Sequence, residues 1–331
     1  MNLSIIIVNY RSEQLIKDAL QSFMPVSDIG LEIIIADNGS DPGELAELST
    51  SFPEVRVVSM GYNAGFARAN NEGIRAARGE VILLLNPDIL DPWHSIASCY
   101  HRFKADTVIA AGVQLLNADQ SPQISGNYFM TGGLNHLLPL PVIGSLVKAA
   151  GSLAGVKKTN LPDSAGKEMV DWINGAFIMV RKNDLETTGL LDEDFFLYAE
   201  EIEWCSRLRK AGKLCIYGDL KLIHLQGATA NEVFGSSGKG YYNLYDRKGL
   251  QLLVSNFLRI RKQFGNGWFL VHLAFYLLEI PLLWLKWLIG QLPGINGIPF
   301  RMPKGYTANM MRLLQLTPRI MRNAPYFYKL L

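Results

Sequence analysis

Cysteine, the usual nucleotide fingerprints and C-terminal acids are all scarce in this 331-residue chain. Cysteine occurs three times, at Cys99, Cys205 and Cys215, with no C-x-x-C pair. An odd, scattered set excludes a disulfide framework and a thiolate zinc cluster, and it suits a reducing compartment. No G-x-G-x-x-G follows the first apolar run, where the chain reads Val8-Asn9-Tyr10-Arg11, and there is no G-x-x-x-x-G-K-[ST]. The usual dinucleotide turn and the P-loop are thereby excluded. Residues 251–331 hold ten Lys and Arg but a single acid, Glu279, whereas residues 1–250 hold 22 basic and 29 acidic side chains. That asymmetry points to an anionic partner for the tail. Leucine-rich and aromatic runs between its basic groups favour an anionic membrane surface, and no nucleic-acid partner is expected.

What is present is a globular composition, 49% hydrophobic and 19% charged, enough for a core and about two domains. The run Leu3–Val8 is too short for the core of a secretion signal, so a cytoplasmic protein is expected. Ile5 to Val8, Ile33 to Ile35, Val55 to Val58, Val81 to Leu85 and Val108 to Val113 are short apolar runs rich in β-branched residues, as strands buried on both faces should be. Between the first two, Ser12 is placed to cap a helix whose apolar face is Leu15, Ile16, Ala19, Leu20 and Phe23. A second helix is expected from Phe66 to Ala77, and a later one from Ala199 to Ala211 ahead of a strand from Leu214 to Tyr217. Alternating strand and helix imply right-handed crossovers and a mainly parallel sheet. Residues 117–170, rich in Gly, Pro, Ser and Asn, read as a long loop over a site. After Gly240 the chain reads as helices.

The informative feature is where polar residues fall. The first four strands end in Asn9-Tyr10, Asp37-Asn38, Asn63-Ala64-Gly65 and Asn86-Pro87-Asp88. In an open parallel sheet, ligands bind beyond the carboxyl ends of the strands. One such cluster is an ordinary turn; four on one rim are the size of a nucleotide site.

These residues also carry a resemblance. The segments IIIVNYRS, IIIADNGSDP, YNAGFARANNEGI, LLLNPD, WINGAFIMVRK, GLLDEDFFLYAEEIEWCSRLRKAG and HLQGAT occur in the order of family-2 inverting glycosyltransferases, and residues 3–250 resemble the bacterial rhamnosyltransferase-type branch. The resemblance implies an α/β GT-A fold, with a Rossmann-like, mainly parallel sheet flanked by helices. It implies a nucleotide-diphosphate sugar donor, dTDP-rhamnose by branch, and a divalent metal, Mg or Mn. The implied acceptor is a saccharide or polyprenyl-linked saccharide in cell-surface polysaccharide synthesis. Residues 1–250 would form the catalytic domain, with a nucleotide-binding half at 1–115 and an acceptor half at 116–250. Residues 251–331 would form a helical, membrane-associating extension.

Roles follow position by position from the resemblance. Asn9 and Tyr10, then Asp37 and Asn38, fall where the family contacts base and ribose; a carboxylate suits an imide N–H or sugar hydroxyls. Asn63, Gly65, Phe66 and Asn70 fall beside the nucleotide, where Gly65 permits close backbone approach and a helix N-terminus faces negative charge. Asn86-Pro87-Asp88 occupies the place of the metal-binding D-x-D, with Asn86 for the first acid and Asp88 as the carboxylate ligand. His224 matches a position that binds metal or diphosphate. In Glu200-Glu201-Ile202-Glu203, Glu201 falls at the catalytic base position, with Glu200 its rival; acids there also favour the helix dipole. Trp172, Asn174 and Gly175 fall in the cleft for acceptor and donor sugar. A sugar-phosphate nucleotidyltransferase is an alternative, although the Gly-rich basic loop it needs after the first strand is missing. A non-catalytic membrane scaffold of the same fold is another, left open by Asn86 and Glu201.

Residues 268–292 are long and apolar enough to span a bilayer but contain His272, Glu279, Pro281 and Lys286. An ionised group at mid-bilayer costs about 2.5–3.5 kcal/mol, so an interfacial or re-entrant helix is expected, peripheral or monotopic at the inner face of the plasma membrane. Burial against the catalytic domain, or in a homodimer, is the other outcome.

Overall fold

The computed structural model describes residues 1–21, 29–90, 92–128, 133–161, 163–225 and 243–331. Phe23, Gly240 and the 226–229 part of the HLQGAT segment lie outside them. The chain forms two compact units, one of residues 1–130, 159–196 and 200–229, the other of residues 131–158, 197–199 and 230–331.

The first unit is built on β1 (Leu3–Asn9), β2 (Leu31–Asp37), β3 (Arg56–Ser59) and β4 (Val81–Leu85), with helices α1 (Glu13–Gln21), α2 (Pro42–Ser51) and α3 (Gly65–Ala76) between them. β3, β2, β1 and β4 lie side by side, all parallel. The continuous apolar runs are explained by two cores. Leu3, Ile5 and Ile7 join Ile16, Leu48, Trp93 and Phe103 in one buried cluster, while Ile6 joins Ala67, Ile74, Trp204 and Leu208 in the other. Alternate residues of β1 thus face opposite layers of helix, the expected geometry of a period-two element covered on both sides.

The rest of the unit adds β5 (Ile89–Leu90), α4 (Trp93–Ala105), β6 (Ala110–Leu116), short strands β7 (Gly126–Asn127) and β8 (Asn160–Leu161), β9 (Lys167–Val170), β10 (Trp172–Ile173), β11 (Phe177–Arg181), α6 (Leu185–Thr188), α7 (Glu200–Ala211) and β12 (Leu214–His224). The main sheet runs β3-β2-β1-β4-β11-β6-β12-β5, with β9 on β12. β11 is antiparallel to both β4 and β6, so the sheet is parallel only in its first half and mixed beyond β4. β12 is longer than the run Leu214–Tyr217 suggests. Its pairing with β6 shifts register between Tyr217 and Lys221, and it continues to pair His224 with Ile89 of β5. Gly218-Asp219 reads as a strand end in sequence; in the fold it is a bulge inside one strand.

The second unit contains α5 (Ile143–Leu153), α8 (Arg247–Ile289) and α9 (Arg301–Arg322). α5 corrects the loop expected over residues 117–170. Its composition, IGSLVKAAGSL, carries no capping side chain at its start; the cap comes from far away instead. Glu279 on α8 accepts hydrogen bonds from the backbone N–H groups of Val142 (2.6 Å) and Ile143 (2.9 Å). That is a carboxylate at a helix N-terminus, satisfying two orphan donors. Nearby, Tyr276 Oη donates to the carbonyl of His136 at 2.7 Å, and Tyr306 Oη donates to the carbonyl of Tyr276 at 2.9 Å. Glu279 and His272, the awkward members of the apolar stretch, are 0% and 1% exposed. They therefore point into the unit and leave leucines outside. α8 breaks at Gly265, where φ is +82°. The helix as a whole is long and apolar enough to cross a membrane, by length and composition.

Candidate functional site

The carboxyl ends of β1, β2 and β4 share one edge of the sheet, and the polar residues at the first two are tied into one network. Asn9 Nδ2 donates to Glu13 Oε1 (3.0 Å), Ser40 Oγ (2.9 Å) and Asp37 Oδ1 (3.3 Å). Asp37 also accepts from the backbone N–H groups of Gly39 and Ser40 at 3.3 Å. Its carboxylate thus closes its own turn, 1% exposed; reaching a base or ribose requires that turn to exchange those bonds. Asn38 bridges to the third loop. Its Oδ1 accepts from Ala64 N (2.8 Å) and its Nδ2 donates to the Gly65 carbonyl (3.1 Å). Asn63 Oδ1 accepts from Gly65 N at 3.1 Å, and Asn70 Nδ2 donates back to the Phe66 carbonyl at 3.0 Å. Phe66 and Tyr10 are half-buried.

Gly65 has a steric reason to be glycine. Its φ is +77°, and a Cβ there would lie 2.2 Å from the carbonyl oxygen of Phe196. The close approach lets Phe66 N donate to that same carbonyl at 2.9 Å. Gly65→Ala is therefore expected to lose about 2 kcal/mol or more, read as a melting temperature several degrees lower. An unchanged melting temperature would contradict the close packing.

The NPD segment and the end of β12 form a second cluster. Asp88 is 6% exposed, and its Oδ1 accepts no hydrogen bond among the described residues, yet it lies 3.2 Å from His224 Nε2. Gln123 determines which ring nitrogen carries the proton. Its Nε2 donates to the His224 carbonyl (2.6 Å) and to Asn117 Oδ1 (2.9 Å). Its Oε1 is then left facing His224 Nδ1 at 3.0 Å, and an amide oxygen requires Nδ1–H. Nε2 then faces both Asn86 Nδ2 at 3.3 Å and Asp88 Oδ1. A carboxylate oxygen and an imidazole nitrogen, both ligand types for a divalent cation, thus stand side by side. Among the described residues no group of three or more His, Cys, Asp and Glu gathers to hold a metal. Two protein ligands leave a hard cation most of its sphere for diphosphate and water. The residues fit a divalent metal of that kind. Gln123 was missed by sequence reasoning, since it sits in the segment read as loop and only the fold carries it to His224.

The acid-rich helix α7 opens after two strained residues, Tyr198 and Ala199, with φ of +72° and +67°. Each left-handed non-glycine residue costs roughly 1–2 kcal/mol, and such strain concentrates at functional sites. No sequence signal announced it. Glu200 and Glu201 are 3% and 7% exposed. Gly175 is beside Glu201: a Cβ there would lie 3.3 Å from Glu201 Cγ. Glu203, by contrast, holds Arg207 in a bidentate pair (2.9 and 2.8 Å), and Arg207 donates to the carbonyls of Thr188 and Leu190. Its role is structural.

Asn174 shapes the strand entry to β11. It donates to the Ile124 carbonyl (3.2 Å) and accepts from Ala176 N (3.0 Å). Ala176 in turn accepts from Asn86 N at 2.9 Å. The Trp172 ring packs against the second core, and its buried Nε1–H makes no hydrogen bond among the described residues. The three cysteines are buried, and burial pushes the Cys205 and Cys215 thiols up to about 12. They are inert packing groups. The structure thus gathers Asn9, Asp37, Asn38, Asn63 and Gly65 in one network. It joins Asn86, Asp88 and His224 in another, and sets Gly175 against Glu201.

Residues 4–143 match the family model for glycosyl transferase family 2. Over 218 residues the chain is 31% identical to a low-salt glycan biosynthesis hexosyltransferase of Haloferax volcanii, covering 63% of this chain and 62% of that protein. It is 28% identical over 217 residues to a rhamnosyltransferase of Escherichia coli, covering 63% and 77% of the two chains. It is 25% identical over 236 residues to the N-acetylglucosaminyl-diphospho-decaprenol L-rhamnosyltransferase of Mycobacterium tuberculosis, covering 65% and 73%. A mannosyltransferase of Pyrobaculum calidifontis, solved with GDP-Man and Mn2+, aligns over 97% of this chain and 87% of that one, with 15% identity and a TM-score of 0.49. Residues 4–143 are thus similar to glycosyl transferase family 2, and the longer matches are to glycosyltransferases. Its sequence is rhamnosyltransferase-like.

Proposed function

We propose that the protein is an inverting glycosyltransferase that moves a sugar from a nucleotide-diphosphate donor to a hydroxyl of a saccharide or lipid-linked saccharide. The donor of choice is dTDP-rhamnose, supported by the likeness to rhamnosyltransferases. The observation that carries the reading is the close approach of two metal-ligand side chains, Asp88 and His224, beyond the carboxyl end of β4, in the same unit as the Asn9–Asp37 network. That arrangement offers one pole for a diphosphate and another for its nucleoside.

Asp88 and His224 would hold the divalent metal, with His224 aimed by Gln123. When bound, the metal supplies positive charge to the leaving diphosphate. Asn9, Asp37 and the Asn63–Asn70 segment hold the nucleoside. Glu201 takes the proton from the acceptor hydroxyl as its oxygen attacks the anomeric carbon from the face opposite the nucleotide. One displacement inverts the anomeric centre. Gly175, carrying no side chain, makes room for Glu201, and the Nε1–H of Trp172, without a partner among the described residues, is a proposed donor for a sugar oxygen.

The basic, leucine-bearing surface of the C-terminal unit supports a working position at an anionic membrane, with the cytoplasmic side as the proposed location. Leu278, Leu285, Leu288, Leu146 and Leu153 are each more than half exposed. The single acid beyond residue 250, Glu279, is internal.

The test is transfer from a panel of nucleotide sugars to a membrane extract or a synthetic lipid-linked saccharide, with the product's anomeric configuration read by NMR. One donor giving an inverted linkage is expected. A retained configuration, or turnover of none of the panel, contradicts the reading.

A further inference from the structure

The C-terminal end of α9 carries a group of arginines that no part of the catalytic account uses. A cavity of about 440 Å³ is lined by Arg312, Gln315, Pro318, Arg319, Arg322 and Tyr326. α9 ends at Asn323 in the left-handed conformation (φ +50°, ψ +34°). The chain turns back there, and this brings Tyr326 against Arg319, whose guanidinium lies 4.1 Å from the ring centroid. Arg312 is held by Gln315 Oε1 at 2.7 Å. Two of the three forks are therefore oriented by neighbours.

Three arginines of the other unit are neutralised by carboxylates. Arg75 meets Glu193 at 2.6 Å, Arg102 meets Asp219 at 2.6 Å and Arg207 meets Glu203 at 2.8 Å. Among the described residues no carboxylate comes within ion-pair distance of Arg312, Arg319 or Arg322. Their stretch of chain has none to offer, since Glu279 is committed to capping α5. Part of this positive charge answers the negative end of the helix dipole. Three guanidinium groups exceed that need, and a concave site lined by them matches a multiply charged oxyanion, which arginine binds through paired N–H donors.

We infer that this cavity is a phosphate site, taking a phosphate or diphosphate ester through Arg312, Arg319 and Arg322, with Tyr326 holding Arg319 in place. The ester is either the headgroup of an anionic bilayer lipid or the diphosphate of a soluble or lipid-linked molecule. None of these residues belongs to the unit that holds the donor site, so this inference and the proposed activity fail separately.

The experiment is calorimetric titration of the full chain with inorganic pyrophosphate in EDTA, which strips the cation that the donor site needs. Saturable binding is expected, unchanged in Asp88→Ala and at least tenfold weaker in Arg319→Gln/Arg322→Gln. Arg319→Lys/Arg322→Lys should fall between, keeping charge but losing the fork. Flotation with phosphatidylglycerol and phosphatidylcholine vesicles separates the sources. If the glutamine pair also loses tenfold or more on phosphatidylglycerol, a lipid headgroup is the ligand; if vesicle binding is unchanged, a free diphosphate is. Equal pyrophosphate affinity in the wild type and the glutamine pair, or no saturable binding by the wild type, overturns the inference.

Discussion

Glu201→Gln is expected to lower the rate of sugar transfer by roughly 10²–10⁴-fold, the range for removing a general base, while donor binding stays within a few-fold. The substitution keeps the shape of a buried side chain and removes its ability to take a proton. The environment argues for Glu201 over its neighbours. Glu203 is spent on Arg207, which it grips through both oxygens. Glu201 packs closely against Gly175, where a side chain would crowd it. The strained backbone of Tyr198 and Ala199 immediately precedes the helix that carries Glu201. Steady-state kinetics with saturating donor and acceptor read the result. Near-normal turnover in a folded Glu201→Gln protein would move base duty to Glu200, whose matched substitution then shows the loss.

Asp88→Ala is expected to abolish metal-dependent donor binding and to cut transfer by about 10³-fold or more, since a metal's stabilisation of a leaving group amounts to several kcal/mol and each 1.36 kcal/mol is tenfold in rate. Asp88 Oδ1 is a buried oxygen with no hydrogen-bond donor in reach among the described residues, so its removal costs the fold little and the cation much. Manganese binding in the presence of a nucleoside diphosphate, followed by electron paramagnetic resonance, reads this without turnover. In the same assay Gln123→Leu is expected to weaken manganese binding by about 10–100-fold, the usual effect of losing a partner that orients a ligand histidine. Wild-type manganese affinity in Asp88→Ala would exclude the site.

Much of this was legible in the sequence. The runs around Ile5, Ile34 and Leu83 announce strands covered on both faces, because period-two burial against two helix layers leaves no polar position to betray a surface. The end of each run was correspondingly visible as Asn9, Asp37 and Asp88. What stayed hidden was non-local. The antiparallel insertion of β11 depends on where a returning segment finds an open edge, and Phe177 to Arg181 is as apolar as a parallel strand. The cap of α5 is Glu279, more than 120 residues away in sequence, so no local signal marks that helix. Gln123 meets His224 only where β12, resuming its pairing with β6 after the register shift, also pairs with β5. The charge of the tail was legible as composition. That three of its arginines line one cavity needed the chain reversal at Asn323.

The central claim, a donor held by its phosphates beyond β4 and by its nucleoside beyond β2, is tested most directly by a crystal structure with a nucleotide sugar and manganese. The diphosphate and the metal should be found against Asp88 Oδ1 and His224 Nε2, with the nucleoside at the Asn9–Asp37 turn. A metal ligated elsewhere, with the Asp88–His224 pair untouched by the bound donor, would contradict the account.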